Sequence, residues 1–192
     1  IMRSHLYKIL FCLFIFISVY AQPFTQKISH NEIESQLNSY LKNIYSGTSV
    51  IRFEIINLKA PVNVFVKSNN YKLEISTNHT NLPRGNSIFT LQIIENNKIQ
   101  KTMTVSCKVK VWENVLRANR QISNGEIISG RELSPVLMET TTINPGYVTA
   151  LKNIKGYVVR KMIRTNDVVY KRHLKQKPVV NKGELISLVY QK

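Results

Sequence analysis

Ile122-Ser123-Asn124-Gly125-Glu126-Ile127-Ile128, closed five residues later by Leu133, is repeated as Ile163-Arg164-Thr165-Asn166-Asp167-Val168-Val169, closed by Leu174. The offset is 41 residues throughout. Each copy reads aliphatic, two polar residues, a turn residue, an acid, then two aliphatics, which is a turn running into a strand. Gly125 accepts a positive φ at no steric cost, and asparagine, at 166, is the non-glycine residue that tolerates it best. A third, shorter copy, Val180-Asn181-Lys182-Gly183-Glu184-Leu185-Ile186, puts Gly183 at the same turn position. Two loop-separated copies predict a small, internally pseudo-symmetric β domain.

Upstream of the repeat the pattern changes twice. Ser29-His30-Asn31-Glu32 has the spacing of a capping box, in which the serine hydroxyl and the glutamate carboxylate each satisfy a free amide at a helix start. Ile33, Leu37, Tyr40, Leu41 and Ile44 follow at helical spacing, and Gly47 offers a stop, so one amphipathic helix is predicted over Asn31–Tyr45. The period then drops to two. Arg52–Leu58, Val62–Val66, Lys72–Ser76 and Ile88–Ile94 read as strands, separated by Ala60-Pro61, Ser68-Asn69-Asn70 and Leu82-Pro83-Arg84-Gly85. Asn96-Asn97 suits a tight hairpin. The return strand alternates cleanly: Met103, Val105, Cys107, Val109 and Val111 face one way, Thr102, Thr104, Ser106, Lys108 and Lys110 the other. It runs toward the repeat, so a boundary is set near Lys110. Trp112 falls on the polar side of this alternation and is expected to pack within its own chain.

The first residues carry a different message. Arg3 and Lys8 precede an apolar run, Ile9 to Val19, that ends in Val19-Tyr20-Ala21. A basic start, a short apolar stretch and a small-x-small end make a secretory signal peptide, expected to be removed before Gln22. The run is too short for an ordinary membrane span. What remains has one cysteine, Cys107, so an intramolecular disulfide is impossible, and export to the periplasm is the expected destination without stable membrane insertion. The excess of positive charge is uneven. Residues 22–107 carry a net +4 and 108–150 a net +1, but 151–192 carry 11 basic and 2 acidic residues. In an exported protein such a stretch points away from nucleic acid and toward an acidic partner or surface, or simply to a solvated basic face. Arg117, Arg120, Arg160, Lys161 and Arg164 flank the two copies and are the candidate partner-binding residues.

Signs of catalysis are thin. His30, His79 and His173 lie in the cap, a polar loop and a basic stretch, none in a nucleophile pattern. No combination of His, Asp, Glu and Cys has metal-ligand spacing, no glycine loop cradles phosphate, and Cys107 sits on a packed face rather than in a thiolate setting. No catalytic residue, cofactor or metal is expected.

Val111–Leu133 and Ile154–Leu174 together resemble the SAF domain. The preceding signal peptide, helix and meander, with the following Val179–Val189, are similar in order to the FlgA family of assembly proteins for the flagellar P-ring. The resemblance covers nearly everything from Ser29 onward. It implies a mainly β fold with one N-terminal helix (α+β): signal peptide 1–21, helix and β-meander domain 22–109, SAF domain of β-clip type 110–174, and the start of a C-terminal β segment at 175–192. It implies a non-enzymatic periplasmic chaperone whose partner is the P-ring subunit. Asn166 departs from the glycine usual in the second copy. Members of the family continue for several strands past the point corresponding to Lys192, so the C-terminal part is expected to be truncated and the chain aggregation-prone through an uncovered sheet edge. An alternative is an SAF-domain pilus-assembly or cell-wall-associated structural protein. A carbohydrate-binding or sugar-processing SAF protein is a third; it is expected to need a catalytic domain, for which the sequence has no room, and saturable binding of acidic sugars would discriminate it.

Overall fold

The computed structural model describes residues 25–78, 80–177 and 187; the expected signal peptide at 1–21, His79 and the third copy with Gly183 lie outside the described residues. In chain order the elements are β1 (Gln26–Lys27), α1 (His30–Tyr45), β2 (Val50–Lys59), β3 (Phe65–Val66), β4 (Tyr71–Ser76), β5 (Gly85–Glu95), β6 (Lys98–Ala118), β7 (Leu133–Glu139), β8 (Val158–Val159) and β9 (Leu174–Lys175), with single 3₁₀ turns at Leu151–Asn153 and Lys171–His173. The expected class, mainly β with one N-terminal helix, is the class observed.

Ser29 caps α1, its Oγ accepting from the Glu32 N–H at 3.1 Å. Only this half of the capping box forms. The Glu32 carboxylate instead accepts from the Tyr71 hydroxyl at 2.6 Å, which ties the helix to β4. Ile33, Leu37, Leu41 and Tyr45 make the buried stripe. The helix ends at Tyr45, and Gly47, at φ +75°, turns the chain away.

The sheet runs β2-β6-β5-β4, antiparallel throughout. Asn96 and Asn97 both take positive φ, 50° and 59°, between the paired Glu95 and Lys98, as a two-residue primed turn requires. The strand expected over Val62–Val66 shortens to Phe65–Val66, paired with β1. Pro61 has no amide to give a ladder, and Asn63 sits at φ +58°, so regular pairing cannot start earlier. Trp112 is half-buried, with the Arg52 guanidinium 4.0 Å over its ring, so it packs within its own chain.

β6 serves two cores with its two faces. Val105, Cys107, Val109 and Val111 enter a first core with Leu37, Leu41, Phe89 and Leu91. Leu116 and Ala118, of the opposite parity, enter a second with Ile122, Ile128, Leu133, Val159, Ile163, Val169 and Leu174. β5 and β7 lie end to end along one edge of β6: Trp112 pairs with Arg52 of β2 on one side and Glu139 of β7 on the other. The break between β5 and β7 is closed by Thr140, whose N–H donates to the Val111 carbonyl at 2.8 Å, and by Thr141, whose Oγ1 accepts from the Val111 N–H at 3.0 Å.

Candidate functional site

The two copies face each other across a local two-fold axis. The Ile122 N–H donates to the Ile163 carbonyl at 2.9 Å, and the Ile163 N–H donates to the Ile122 carbonyl at 3.0 Å. Bonds further from the axis occur in matched pairs at the same offset. Asn166 N–H to the Ala118 carbonyl (2.8 Å) is mirrored by Gly125 N–H to the Val159 carbonyl (2.8 Å). Ala118 to Asp167 (3.0 Å) is mirrored by Val159 to Glu126 (2.9 Å), and Val169 to Leu116 (2.9 Å) by Ile128 to Tyr157 (2.8 Å). Each acid closes its own turn: Glu126 accepts from the Ser123 N–H at 3.0 Å, Asp167 from the Arg164 N–H at 3.1 Å. Gly125 has φ +86° and Asn166 φ +67°, so both turn residues adopt the left-handed conformation. Four buried pairs at the same offset, Ala118/Val159, Ile122/Ile163, Ile128/Val169 and Leu133/Leu174, fill the core around the axis.

The five candidate basic residues are not gathered at one point. Arg117 donates from Nε to the Asn166 carbonyl at 2.8 Å. Arg120 turns onto Glu126 in an ion pair. Arg164 is exposed at the second turn. Arg160 and Lys161 stand together, their N–H groups directed at the His173 carbonyl at 2.7 and 3.4 Å.

The carboxylate with the most side-chain partners among the described residues was not among the candidates. Glu113, 2% exposed, lies on the packed face of β6 two residues past Val111. Its carboxylate accepts from the hydroxyls of Ser49 and Tyr147, from Thr140 Oγ1 at 2.6 Å and from Arg84 Nη2 at 3.1 Å. Arg84 Nη1 also donates to the Tyr147 hydroxyl at 2.9 Å. Burial opposes the charge, but the bonds from Ser49, Thr140 and Tyr147 and the Arg84 charge outweigh it, so the carboxyl sits below the usual range. The signal available beforehand was register: an acid in line with a row of buried valines. Ser49 and Arg84 belong to the helix-and-sheet part, Thr140 and Tyr147 to the segment leading into the second core, so this carboxylate joins the two.

Among the described residues no group of three or more His, Cys, Asp or Glu could hold a metal. Burial pushes the Cys107 thiol up to about 11, so it is protonated at neutral pH. No helix among the described residues is long and apolar enough to cross a membrane.

Residues 113–192 match the family model for the chaperone for flagella basal body P-ring formation. This part of the chain is similar to the FlgA family. The fold is similar to Salmonella FlgA in its closed crystal form, with a TM-score of 0.58, 14% identity, and 76% of this chain and 69% of that one covered. Likeness to the open form of Salmonella FlgA gives 0.53, 14%, 75% and 64%. At such identities the FlgA structures bear on fold alone. A comparison with curated proteins finds no significant match. The FlgA match begins at Glu113, the buried carboxylate that joins the two cores, and includes both copies of the repeat.

Proposed function

We propose that this chain is a non-enzymatic periplasmic chaperone that holds the flagellar P-ring subunit and assists its polymerisation around the rod. The observation that carries the reading is the match of residues 113–192 to a P-ring chaperone family, over the region that contains the pseudo-two-fold unit. We assign residues 110–174 to an SAF domain of β-clip type and residues 22–109 to a helix and meander domain, with export directed by residues 1–21.

Holding a subunit requires backbone or side chains not already satisfied inside the chain. β2 and β4 are the outer strands of the sheet, and Ile51, 61% exposed, lies on β2. A strand of the ring subunit can add to such an edge through main-chain hydrogen bonds. β7 is less suited. The Leu116 N–H is spent on the Val148 carbonyl, away from β7, so Pro135, opposite Leu116, turns its hydrogen-less nitrogen to the free edge. A pilus-assembly or cell-wall role has no observation of its own.

The test is a deletion strain complemented with this chain, scored for P-ring formation and motility, with binding of purified ring subunit measured in parallel. Restored rings and saturable binding are expected. Rings that assemble equally well without the chain, and no binding, would reject the role.

A further inference from the structure

The two copies of the pseudo-two-fold unit make the same backbone bonds and bury the same positions, yet they differ in charge. Residues 116–134 carry three basic and two acidic residues, a net +1; residues 157–175, their mates, carry six and one, a net +5. The first copy shows that the fold does not require the extra cations. In the first copy Arg120 is neutralised by Glu126, and Glu132 is spent on its own turn, accepting from the Ser129 N–H at 2.7 Å and Ser129 Oγ at 2.8 Å. The mate of Glu132 is His173, whose Nδ1 is buried without a hydrogen-bond partner. The mates of Arg120 and Arg131 are Lys161 and Arg172, both exposed. Among the described residues none of Arg160, Lys161, Lys171, Arg172 and Lys175 is in an ion pair. Their backbone holds them together: Arg160 and Lys161 point their N–H groups at the His173 carbonyl, and Val158 pairs with Lys175. Arg172 lies over the Tyr170 ring at 4.2 Å, which fixes its guanidinium. Unpaired like charges repel one another and lower stability unless something outside the chain neutralises them.

Beside this cluster is a cavity of about 460 Å³, lined by Ile154, Tyr157 and Leu174 with Lys171 and Lys175. We propose that the cluster and cavity form the docking surface for an acidic segment of a partner protein, with carboxylates on Arg160, Lys161 and Arg172 and an apolar side chain in the cavity. This rests on the chaperone reading and gives the held subunit a defined chemistry. Residues 178–192 of the chain itself carry two lysines and one glutamate, so their charge does not complement the cluster. A lipid surface fits less well. Met162, 45% exposed, is the one large exposed hydrophobic of residues 157–175, whereas interfacial binding draws on a broad apolar face.

The test uses the full chain as wild type, as K161Q/R172Q and as K98Q/R131Q, each double variant removing two exposed positive charges. Binding is measured to purified ring subunit, to polyglutamate and to phosphatidylglycerol vesicles, at low and physiological salt. We expect K161Q/R172Q to weaken binding to both subunit and polyglutamate about tenfold at low salt, with less salt dependence left, and K98Q/R131Q to change either by less than about twofold. Equal losses in the two double variants would overturn the docking surface and leave the chaperone reading standing. A wild type that ignores the subunit would reject the chaperone reading, while the polyglutamate arm still decides the surface. Tightest binding to vesicles, lost in K161Q/R172Q, would overturn the protein partner in favour of lipid. Unchanged Trp112 fluorescence in both variants, with K161Q/R172Q melting no lower than the wild type, establishes that folding is intact.

Discussion

The two cores of this chain are held by different means. The first is a helix laid on a sheet: one stripe of α1, with Leu37 and Leu41 fully buried, covers the inner row of β5 and β6. Most of its stability comes from side-chain burial over regular elements. The second core has little regular structure beyond the end of β6, β7 and the two-residue strands β8 and β9. It is held by reciprocal backbone bonds around Ile122 and Ile163, and its buried residues come in pairs related by the same axis. A helix-on-sheet core can lose one contact and keep its geometry. A core built on paired crossings depends on both partners of each crossing.

Core truncations should show this most strongly. Leu37→Ala is expected to cost about 4 kcal/mol and Ile163→Ala a similar amount, the range for deleting a fully buried aliphatic group. The sharper measurement is what is lost with them. Ile163→Ala should remove amide-exchange protection at Ile122 as well, and leave Leu91 and Val105 protected; Leu37→Ala should lower protection at Leu91 and Val105 without abolishing it, and leave Ile122 protected. Identical protection losses in the two variants would mean the cores are one cooperative unit and the contrast is void.

Glu113 is the next test, because it joins the cores. Glu113→Ala leaves Arg84 half-buried without its counter-charge and three hydroxyls without an acceptor, and should cost about 3 kcal/mol. Denaturation followed by Trp112, on the sheet, and by amide exchange at Ile163 should then separate into two transitions; one shared transition would refute the joint. The pH dependence has a definite sign. The folded carboxyl titrates below its ordinary value of about 4.3, so its contribution is complete above that pH and is lost as pH falls through the lower folded value. Glu113→Gln should flatten the acid limb of stability without changing it at neutral pH as much as Glu113→Ala does.

How far the fold was legible differs between the cores for the same reason. Helical spacing in Ile33, Leu37 and Leu41 and period-two spacing in Val105 to Val111 are local signals, so α1 and β6 were readable one element at a time. The crossing of Ile122 with Ile163 has no local periodicity. It was readable because the chain wrote the same turn twice. Polar partnerships resisted reading. Glu32 meets Tyr71 and Glu113 meets Arg84 across 39 and 29 residues, and no spacing rule reaches that far. Arg120 looked free for a partner because its own acid, Glu126, is a turn residue whose side-chain direction only the folded turn decides.

The smallest effects discriminate most finely between the copies. Gly130 and Gly125 both have positive φ, 105° and 86°. A methyl group at Gly130 would collide with the Leu151 side chain, whereas at Gly125 it would meet nothing within 4 Å. Gly130→Ala is therefore expected to cost about 2 kcal/mol, combining backbone strain with overpacking. Gly125→Ala should cost about 1 kcal/mol from backbone strain alone. Gly125→Asn, which writes the second copy's turn residue into the first, should cost less than about 0.5 kcal/mol, since asparagine occupies the same left-handed conformation at Asn166. If thermal melts place Gly125→Asn level with Gly125→Ala, the two turns are not equivalent, and the matched hydrogen bonds on either side of the axis conceal a difference in strain.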